Sequence, residues 1–329
     1  MKKRALVTGG AGFIGSHLVD RLVERDRAVT VLDDFSTGRT KNLAEAQRRG
    51  DVRIIEGSVL DPKALDAAMT DIDRVFHLAV QCVRRSLRRP VENHEINATG
   101  TLLALEAARR AEVGCFVYCS SSEVYGNCGG DRLNEESTQC APVTVYGAAK
   151  LAGEYYAKAY WQTYGLPVVI VRPFNAYGPR EHESGDLGEV IPRFIIRLLN
   201  RLPPVVFGSG ENGRDFTYVT EIAHGIALAG DCDALLGRVV NLAYGKMITI
   251  SELAEAAAQV CGCPEIRPLH IEARPGDVMA LRADISLAHR LLGFQAAIDL
   301  HEGLSRYLAW FRAHHNDVSV LLEAEPRNW

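Results

Sequence analysis

The sequence predicts a mixed α/β fold in which a doubly wound parallel sheet is joined to a smaller C-terminal lobe. Two observations lead to this prediction. Short runs that are apolar throughout alternate with segments of helical periodicity in the first half of the 329-residue chain, and a glycine-rich loop follows the first of these runs. Strands without a polar face are buried on both sides, which is typical of a parallel sheet covered by helices.

The individual elements are predicted from the spacing of apolar residues. Strands are expected over residues 5–7, 29–32, 53–55, 74–78, 115–119 and 168–171, with helices over 16–24 and 96–111. After Pro173, glycine, proline and charged residues become more frequent, and helical spacing recurs over 190–199, 219–229, 250–260, 285–292 and 300–314. We therefore expect one domain over residues 1–173 and a lobe, mainly 174–329, that returns some strands to the main sheet and closes over the carboxyl ends of the strands.

Composition narrows the class of protein and its partners. The formal net charge is -4, which favours neither nucleic acid nor an anionic membrane as a partner. No stretch reaches the roughly 18 apolar residues of a membrane span, and the apolar run after Arg4 breaks at Gly9, so we expect no secretory signal. None of the 8 cysteines belongs to a Cys-x-x-Cys pair, and we interpret them as reduced thiols. We therefore expect a cytoplasmic protein.

The glycine-rich loop predicts a dinucleotide site of the Rossmann type. Gly9, Gly12 and Gly15 lie between the first strand and the first helix, where glycines permit a tight turn, close approach of a pyrophosphate and packing of helix on strand. Asp33 and Asp34 end the second strand, where a carboxylate accepts hydrogen bonds from ribose hydroxyls and repels a 2′-phosphate. This favours NAD over NADP; the alternative is a glycine-rich turn that holds no ligand.

A tyrosine and a lysine four residues apart indicate the chemistry. Tyr146 and Lys150 share one face of a predicted helix. An ammonium group and an oxidised nicotinamide near a phenol favour the phenolate, so we expect the two together to lower the pKa of Tyr146 and give it a role as acid and base in hydride transfer. The alternative is an exposed helical pair without a function.

Together these motifs resemble the extended short-chain dehydrogenase/reductase superfamily, and in particular its nucleotide-sugar epimerase/dehydratase family. Further matches follow in the family's order and cover nearly the whole chain: residues 57–61, 77–81, 97–101, 120–126, 172–179, 208–219 and 274–277. Ser58 departs from the family pattern, which usually has Asp there. The resemblance implies a nucleotide-diphosphate sugar as substrate, NAD as cofactor, and a homodimer formed by the helix after Ile96 and the helix of Tyr146.

The resemblance also implies roles for individual residues. The catalytic residues would be Ser121, Tyr146, Lys150 and Glu123. The residues that bind the cofactor would be Gly9, Gly12, Phe13, Ile14, Gly15, Asp33, Asp34, Ser58, Val59, Leu78, Ala79 and Lys150. The substrate would contact Arg84, Ser121, Ser122, Glu123, Tyr146, Asn175, Glu189, Val190, Arg193, Arg214 and Arg274. No metal site is expected.

Several of these roles have alternatives. Ser121 aligns with the catalytic Ser or Thr of the family, while we expect Ser120 and Ser122 to cap backbone groups in the turn. Arg84 or Arg85 can meet the carboxylate of a hexuronate, but a solvated helix face is the simpler interpretation of this basic run.

Glu123 decides between the possible reactions. It can serve as the C5 base of a dehydratase, assist a decarboxylase, or simply be polar at the edge of the pocket. Dehydratases of the dTDP-glucose type carry Asp-Glu where this chain has Ser122-Glu123, whereas other dehydratases and decarboxylases have Ser-Glu there, which keeps both reactions open. Against a decarboxylase, residues 141–147 resemble the epimerase pattern. We therefore expect an NAD-dependent nucleotide-sugar 4-epimerase that acts through a transient 4-keto sugar. A dehydratase and a UDP-glucuronate decarboxylase remain alternatives. A non-catalytic NAD-binding sensor is a different class, which the presence of both Tyr146 and Lys150 disfavours.

Overall fold

The computed structural model describes residues 4–128, 132–323 and Arg327; the basic start of the chain, residues 1–3, lies outside this set. Its strands in chain order are β1 (Arg4–Thr8), β2 (Ala28–Asp33), β3 (Val52–Glu56), β4 (Arg74–His77), β5 (Cys115–Cys119), β6 (Val168–Pro173), β7 (Ala176–Tyr177), β8 (Val205–Phe207), β9 (Gly213–Asp215), β10 (Thr217–Tyr218), β11 (Val239–Leu242), β12 (Met247–Thr249), β13 (Leu269–Ile271) and β14 (Ala280–Leu281). Its α-helices are α1 (Phe13–Glu24), α2 (Ala44–Arg49), α3 (Pro62–Ala68), α4 (Val83–Arg88), α5 (Pro90–His94), α6 (Gly100–Arg110), α7 (Val145–Tyr164), α8 (Val190–Leu199), α9 (Val219–Ala229), α10 (Ile250–Cys261), α11 (Ser286–Leu292) and α12 (Leu300–His314).

Within the described residues, seven parallel strands form the central sheet in the order β11-β6-β5-β4-β1-β2-β3. The predicted parallel sheet is confirmed, because every apolar run assigned as a strand lies in it. The strand order reverses between β1 and β4, and this is the point at which open α/β sheets bind ligands. The edge strand β11 comes from far beyond residue 173 and pairs with β6.

Helices cover both faces of the sheet, because successive side chains of each strand point to opposite sides. Val7 packs in the layer that contains Leu18 of α1 and Ile222 of α9. Leu6, the preceding residue, packs in the opposite layer with Leu105 of α6. Burying each such side chain contributes roughly 1.5–3 kcal/mol, which is why runs without a polar face adopt this arrangement.

The C-terminal part of the chain builds a separate core from α8, α10 and α12. Phe194, Leu253 and Phe311 are fully buried there. The helices expected over 190–199, 219–229 and 300–314 have the same bounds in the structure. No helix within residues 4–128 and 132–323 is long and apolar enough to cross a membrane.

The helix predicted over residues 96–111 differs from its prediction in its first turn. The helix expected from residue 96 begins as a π-helical turn, Glu95–Thr99, and becomes α-helical at Gly100. The side chain of Asn97 accepts a hydrogen bond from the backbone N–H of Gln81 and donates one to its carbonyl oxygen, at 3.0 and 2.9 Å. These bonds hold the turn against the end of β4, a constraint that apolar periodicity does not show.

Candidate active site

A cavity of about 530 Å³ extends along the carboxyl ends of the strands, from the glycine-rich loop to the C-terminal lobe. Every residue that the sequence analysis assigned to the cofactor, the substrate or catalysis lines this cavity. The fold therefore brings together segments that are far apart in the chain, with the β1–α1 loop at one end and Arg214 and Arg274 at the other.

The glycine-rich loop forms a cradle for a pyrophosphate. Gly9 has a φ of +68°, and a Cβ there would lie 2.8 Å from the backbone of Ala79. A Cβ on Gly15 would lie 2.1 Å from the carbonyl oxygen of Gly9, so this glycine lets α1 pack against the loop. Gly12 lines the cavity and precedes α1 without a side-chain cap, so the N-terminus of the helix faces the cavity. An uncapped N-terminus with a glycine surface suits a phosphate group.

Asp33 is fixed at the other side of this cradle. Its Oδ2 accepts a hydrogen bond from the backbone N–H of Ala11 at 2.8 Å, and its Oδ1 accepts one from Phe35 at 2.9 Å. Burial raises the pKa of this carboxyl group, while the two backbone hydrogen bonds lower it. Each oxygen keeps a further lone pair, so the carboxylate fits the ribose hydroxyls of a dinucleotide. The loop and Asp33 together fit NAD.

Lys150 joins the helix of Tyr146 to the central sheet. Thr144 caps α7 by accepting a hydrogen bond from the N–H of Gly147 at 3.1 Å, which places Tyr146 and Lys150 in the first two turns. Lys150 is 2% exposed, and its Nζ donates a hydrogen bond to the carbonyl oxygen of Cys119 at 2.8 Å. Burial lowers the pKa of its ammonium group to about 8.

The protein's own groups do not lower the pKa of Tyr146. Burial raises its pKa well above the ordinary value, and the hydrogen bond with Ser121 offsets only part of this increase. Sequence spacing shows that a lysine is near but not how far the phenol is removed from water. The protein's own groups therefore leave Tyr146 protonated.

The serine turn after β5 has a different arrangement from the expected one. Ser121, rather than Ser120, caps the short turn Ser122–Val124, because its Oγ accepts a hydrogen bond from the N–H of Glu123 at 3.2 Å. Ser120 instead donates to Glu154 at 2.5 Å. The expectation that Ser120 caps the turn is wrong, and the cap holds Ser121 beside Tyr146.

Glu123 lies near a cluster of cations at the far end of the cavity. Burial raises the pKa of its carboxyl group, and the charges of Arg214 and Arg274 oppose that increase. Both arginines donate to Oδ1 of Asp277, at 2.6 and 2.8 Å. Asp277 belongs to the matching motif over residues 274–277 but had no predicted role. In the structure it holds the two arginines side by side.

Arg84 contradicts the expectation of a solvated helix face. It is 7% exposed, and its two Nη atoms donate to the carboxylate oxygens of Glu189 at 2.8 and 2.5 Å. Nη2 also donates to the carbonyl oxygen of Leu187 at 2.9 Å. The side chain turns into the cavity because the carboxylate of Glu189, at the start of α8, faces it there. The bidentate pair with this carboxylate stabilises the charge of the buried guanidinium group.

Two further residues indicate that the lobe end accepts a polar ligand. Oδ1 of Asn175 is buried and has no hydrogen-bond partner among the described residues. Arg193 pairs with Glu323 at 2.8 Å, and both line the cavity.

Within the described ranges, no group of three or more His, Cys, Asp or Glu side chains is arranged to hold a metal ion.

A phosphate cradle at the switch point of a parallel sheet, with a half-buried tyrosine and a buried lysine across the cavity, places this protein among the Rossmann-type enzymes that use a nicotinamide cofactor. Comparison with known proteins identifies the family. Residues 5–243 match the sequence profile of the NAD dependent epimerase/dehydratase family, and the chain belongs to it. Members of this family use NAD and include epimerases, dehydratases and decarboxylases of nucleotide sugars.

Individual relatives match along nearly their full length. A putative UDP-glucose 4-epimerase of Methanocaldococcus jannaschii is 34% identical over 311 residues, which cover 93% of this chain and 98% of that protein. A dTDP-glucose 4,6-dehydratase of an Actinoplanes species is 34% identical over 322 residues, covering 95% and 99%. The solved UDP-N-acetylglucosamine 4-epimerase from Methanobrevibacter ruminantium has a TM-score of 0.88 and 36% identity, covering 96% and 100%. Relatives of equal similarity thus catalyse different reactions.

Proposed function

We propose that this protein is a nucleotide-sugar 4-epimerase that uses NAD. One observation carries the proposal: Tyr146, Ser121 and Lys150 line the cavity together, whereas the serine turn supplies only one carboxylate, Glu123, with Ser122 beside it. Oxidation and reduction at C4 of a sugar need a single acid and base. Elimination of water needs a base at C5 and an acid for the leaving hydroxyl. The residues present suit the first reaction better.

The chain's residues have defined tasks in this reaction. NAD held by the glycine-rich loop and Asp33 would supply the acceptor and donor of the C4 hydride, and its positive ring in the oxidised form would lower the pKa of the phenol. Tyr146 takes the proton of the 4-OH, and Ser121, hydrogen-bonded to it, orients that hydroxyl. When the 4-keto sugar presents its other face, Tyr146 returns the proton to the new 4-OH. All atoms are retained, so the product is an isomer of the substrate.

The cations at the lobe end suit a nucleotide diphosphate. Arg214 and Arg274 are held together by Asp277, and guanidinium groups match the paired oxygens of phosphates. Asn175 lines the same cavity, where its amide N–H₂ group can donate to a phosphate oxygen. Val190 and Arg193, at the start of α8, would frame the base.

The Arg84–Glu189 pair favours a neutral sugar. A uronate would add a carboxylate to a region where Arg84 already has one and where Glu181 is buried nearby. Displacing Glu189 would leave its charge without a partner, which is costly. We therefore expect turnover of UDP-glucose to exceed that of UDP-glucuronate by at least about tenfold, which disfavours the decarboxylase.

A dehydratase is the second candidate, because of Glu123. Burial raises the pKa of its carboxyl group, and a carboxylate with a raised pKa is a stronger base for the C5 proton.

Product analysis tests the proposal. The full chain would be incubated with UDP-glucose, UDP-N-acetylglucosamine, UDP-glucuronate and dTDP-glucose in the presence of NAD⁺, and the products examined by mass spectrometry and NMR. Unchanged mass with inverted C4 supports the epimerase. Loss of water would assign a dehydratase with Glu123 as base, and loss of carbon dioxide a decarboxylase. No conversion of any donor would contradict a nucleotide-sugar enzyme and favour a sensor.

We also propose that the protein is a homodimer formed through α6 and α7. Apolar side chains are exposed on this side of the molecule: Tyr155 of α7 is 62% exposed, Leu102 of α6 38% and Val91 of α5 71%. Sedimentation would test this, with Tyr155→Glu expected to give monomers and Leu269→Glu, a control on β13, expected to leave the mass unchanged. Monomers in the unmodified protein would overturn the proposal.

A reducing compartment such as the cytoplasm is proposed from the cysteines. All eight are free thiols in the structure. Thiol titration of freshly purified protein should give eight groups without reductant, and fewer groups would contradict this setting.

A further inference from the structure

The loop between β7 and α8 reaches from the C-terminal lobe back to the cofactor end of the cavity. Arg180 pairs with Asp20 of α1 at 2.8 Å, and the carbonyl oxygen of Pro179 lies 2.9 Å from Nε2 of His17. Three residues after Arg180, the side chain of Glu183 is 9% exposed and lines the cavity together with Asp33 and Asp34. The lobe therefore contributes a carboxylate to the end of the cavity where Asp33 is expected to bind the ribose.

Glu183 pairs with Arg39, a residue whose backbone lies close to Asp33. Oε1 of Glu183 is 3.2 Å from Nη1 of Arg39 and 3.3 Å from Nε2 of His315. The backbone N–H of Arg39 donates to the carbonyl oxygen of Ala11 at 3.0 Å, and the N–H of Ala11 donates to Asp33 at 2.8 Å. Two hydrogen bonds, both made by the backbone of Ala11, thus connect the backbone of Arg39 to the carboxylate of Asp33, which faces the ribose.

An arginine in this position is the residue that an NADP site would use. A guanidinium group can form a bidentate pair with two oxygens of a 2′-phosphate, and the arginine side chain is long enough to reach across a loop. In this protein the guanidinium group is instead directed to a carboxylate from the other wall of the cavity. The side chain of Arg39 is 45% exposed. Its position therefore depends mainly on the ion pair with Glu183 and little on packing against neighbouring side chains.

We propose that Glu183 is a second determinant of cofactor choice, which selects NAD over NADP by holding Arg39 away from a 2′-phosphate and by adding negative charge at that end of the cavity. Asp33 acts from the end of β2 on the ribose hydroxyls. Glu183 acts from the lobe through Arg39, so its effect depends on that arginine. This inference concerns cofactor binding and is independent of the reaction proposed above.

Binding of the two cofactors to the full chain, freed of nucleotide, tests the inference. Calorimetric titration with NAD⁺ and with NADP⁺ would compare the native protein with Glu183→Gln. We expect the Kd for NADP⁺ to fall about fivefold to tenfold, as one carboxylate is removed and one cation released, while the Kd for NAD⁺ changes less than about twofold. The gain should shrink at high salt because the groups are partly exposed.

Two further variants separate the proposal from a general change in charge. Adding Arg39→Gln to Glu183→Gln should abolish the gain in NADP⁺ affinity. Glu302→Gln, which alters an exposed pair with Arg306 on α12, makes the same change in net charge and should leave both affinities unchanged. Thermal unfolding would show that each variant folds.

Two results would overturn this role of Glu183. If Glu183→Gln leaves the ratio of the two Kd values unchanged, both in the native protein and in an Asp33→Ser background where the first determinant is gone, then Glu183 has no part in cofactor choice. A gain in NADP⁺ affinity that persists without Arg39 would also contradict the mechanism.

Discussion

Nζ of Lys150 and the carbonyl oxygen of Cys119 are 2.8 Å apart and form a buried hydrogen bond. Cys119 is the last residue of β5, so this bond fastens the helix that carries Tyr146 to the strand that leads into Ser121. The distance between the phenol and the hydroxyl is therefore set by a helix and a strand and not by a mobile loop. A site of this kind holds its reacting groups in place before the substrate arrives.

Replacing the phenol should separate chemistry from binding. Tyr146→Phe removes the hydroxyl that exchanges the substrate proton but keeps the aromatic ring in its place. We expect kcat to fall by about 10²–10⁴, with unchanged affinity for NAD⁺ and for UDP, measured by calorimetry. A loss of less than about tenfold in kcat would show that another group transfers the proton.

The buried ammonium group of Lys150 should make stability depend on pH. Burial lowers its pKa from 10.5 to about 8. Between these values the unfolded chain binds the proton and the folded protein does not, so the free energy of unfolding rises with pH through this group. Urea unfolding of nucleotide-free protein would measure the difference in free energy of unfolding between the native protein and Lys150→Met. This difference should rise by about 3 kcal/mol in favour of the native protein across this pH window and stay level below it. A difference that is flat across the window would contradict the lowered pKa.

The ion pair behind the serine turn should be essential to stability. Glu154 and Arg172, whose side chains are 1% and 3% exposed, are paired at 2.6 Å. Glu154→Ala leaves a buried guanidinium group without its partner and should cost about 3–5 kcal/mol in urea unfolding. Replacing both residues, as Glu154→Leu with Arg172→Met, should recover most of this loss.

The control for that prediction is an exposed pair. Glu302→Ala removes the partner of Arg306 on the surface of α12 and should cost less than about 1 kcal/mol. Equal losses at the two pairs would mean that burial adds nothing to the effect.

Neutralising Glu123 distinguishes the two candidate reactions. In an epimerase this carboxylate takes no proton from C5, so Glu123→Gln should keep most of the turnover. The expected change in kcat is within about threefold, measured with the donor that the native protein converts best. Lost turnover with C4 oxidation retained, seen as accumulated NADH, would instead identify Glu123 as the C5 base.

Local patterns in the sequence were enough to predict the sheet and the positions of Tyr146, Lys150 and the glycine loop. A run such as residues 115–119 is apolar throughout because both faces of β5 are covered, and this constraint is visible in the run itself. Arg84, by contrast, belongs to a basic run that has the pattern of a solvated helix. Its partner Glu189 is 105 residues away, so no local signal shows that the side chain is buried.

The same reason explains what was missed at the cofactor end. Glu183 meets Arg39 across 144 residues, and only the folded arrangement of the lobe against the β2 loop brings them together. The pKa of Tyr146 is a similar case, because residue spacing shows which charges are near but not how far the phenol is removed from water.

The central claim is that hydride leaves C4 of the sugar and returns to the same carbon. The most direct test uses UDP-glucose carrying deuterium at C4, with a parallel reaction of unlabelled UDP-glucose in D₂O, both followed by NMR. We predict that the 4-epimer keeps its deuterium at C4 and gains none at any carbon from the solvent. Solvent deuterium at C5 together with loss of water, or a C4 label that is absent from the product, would contradict this account.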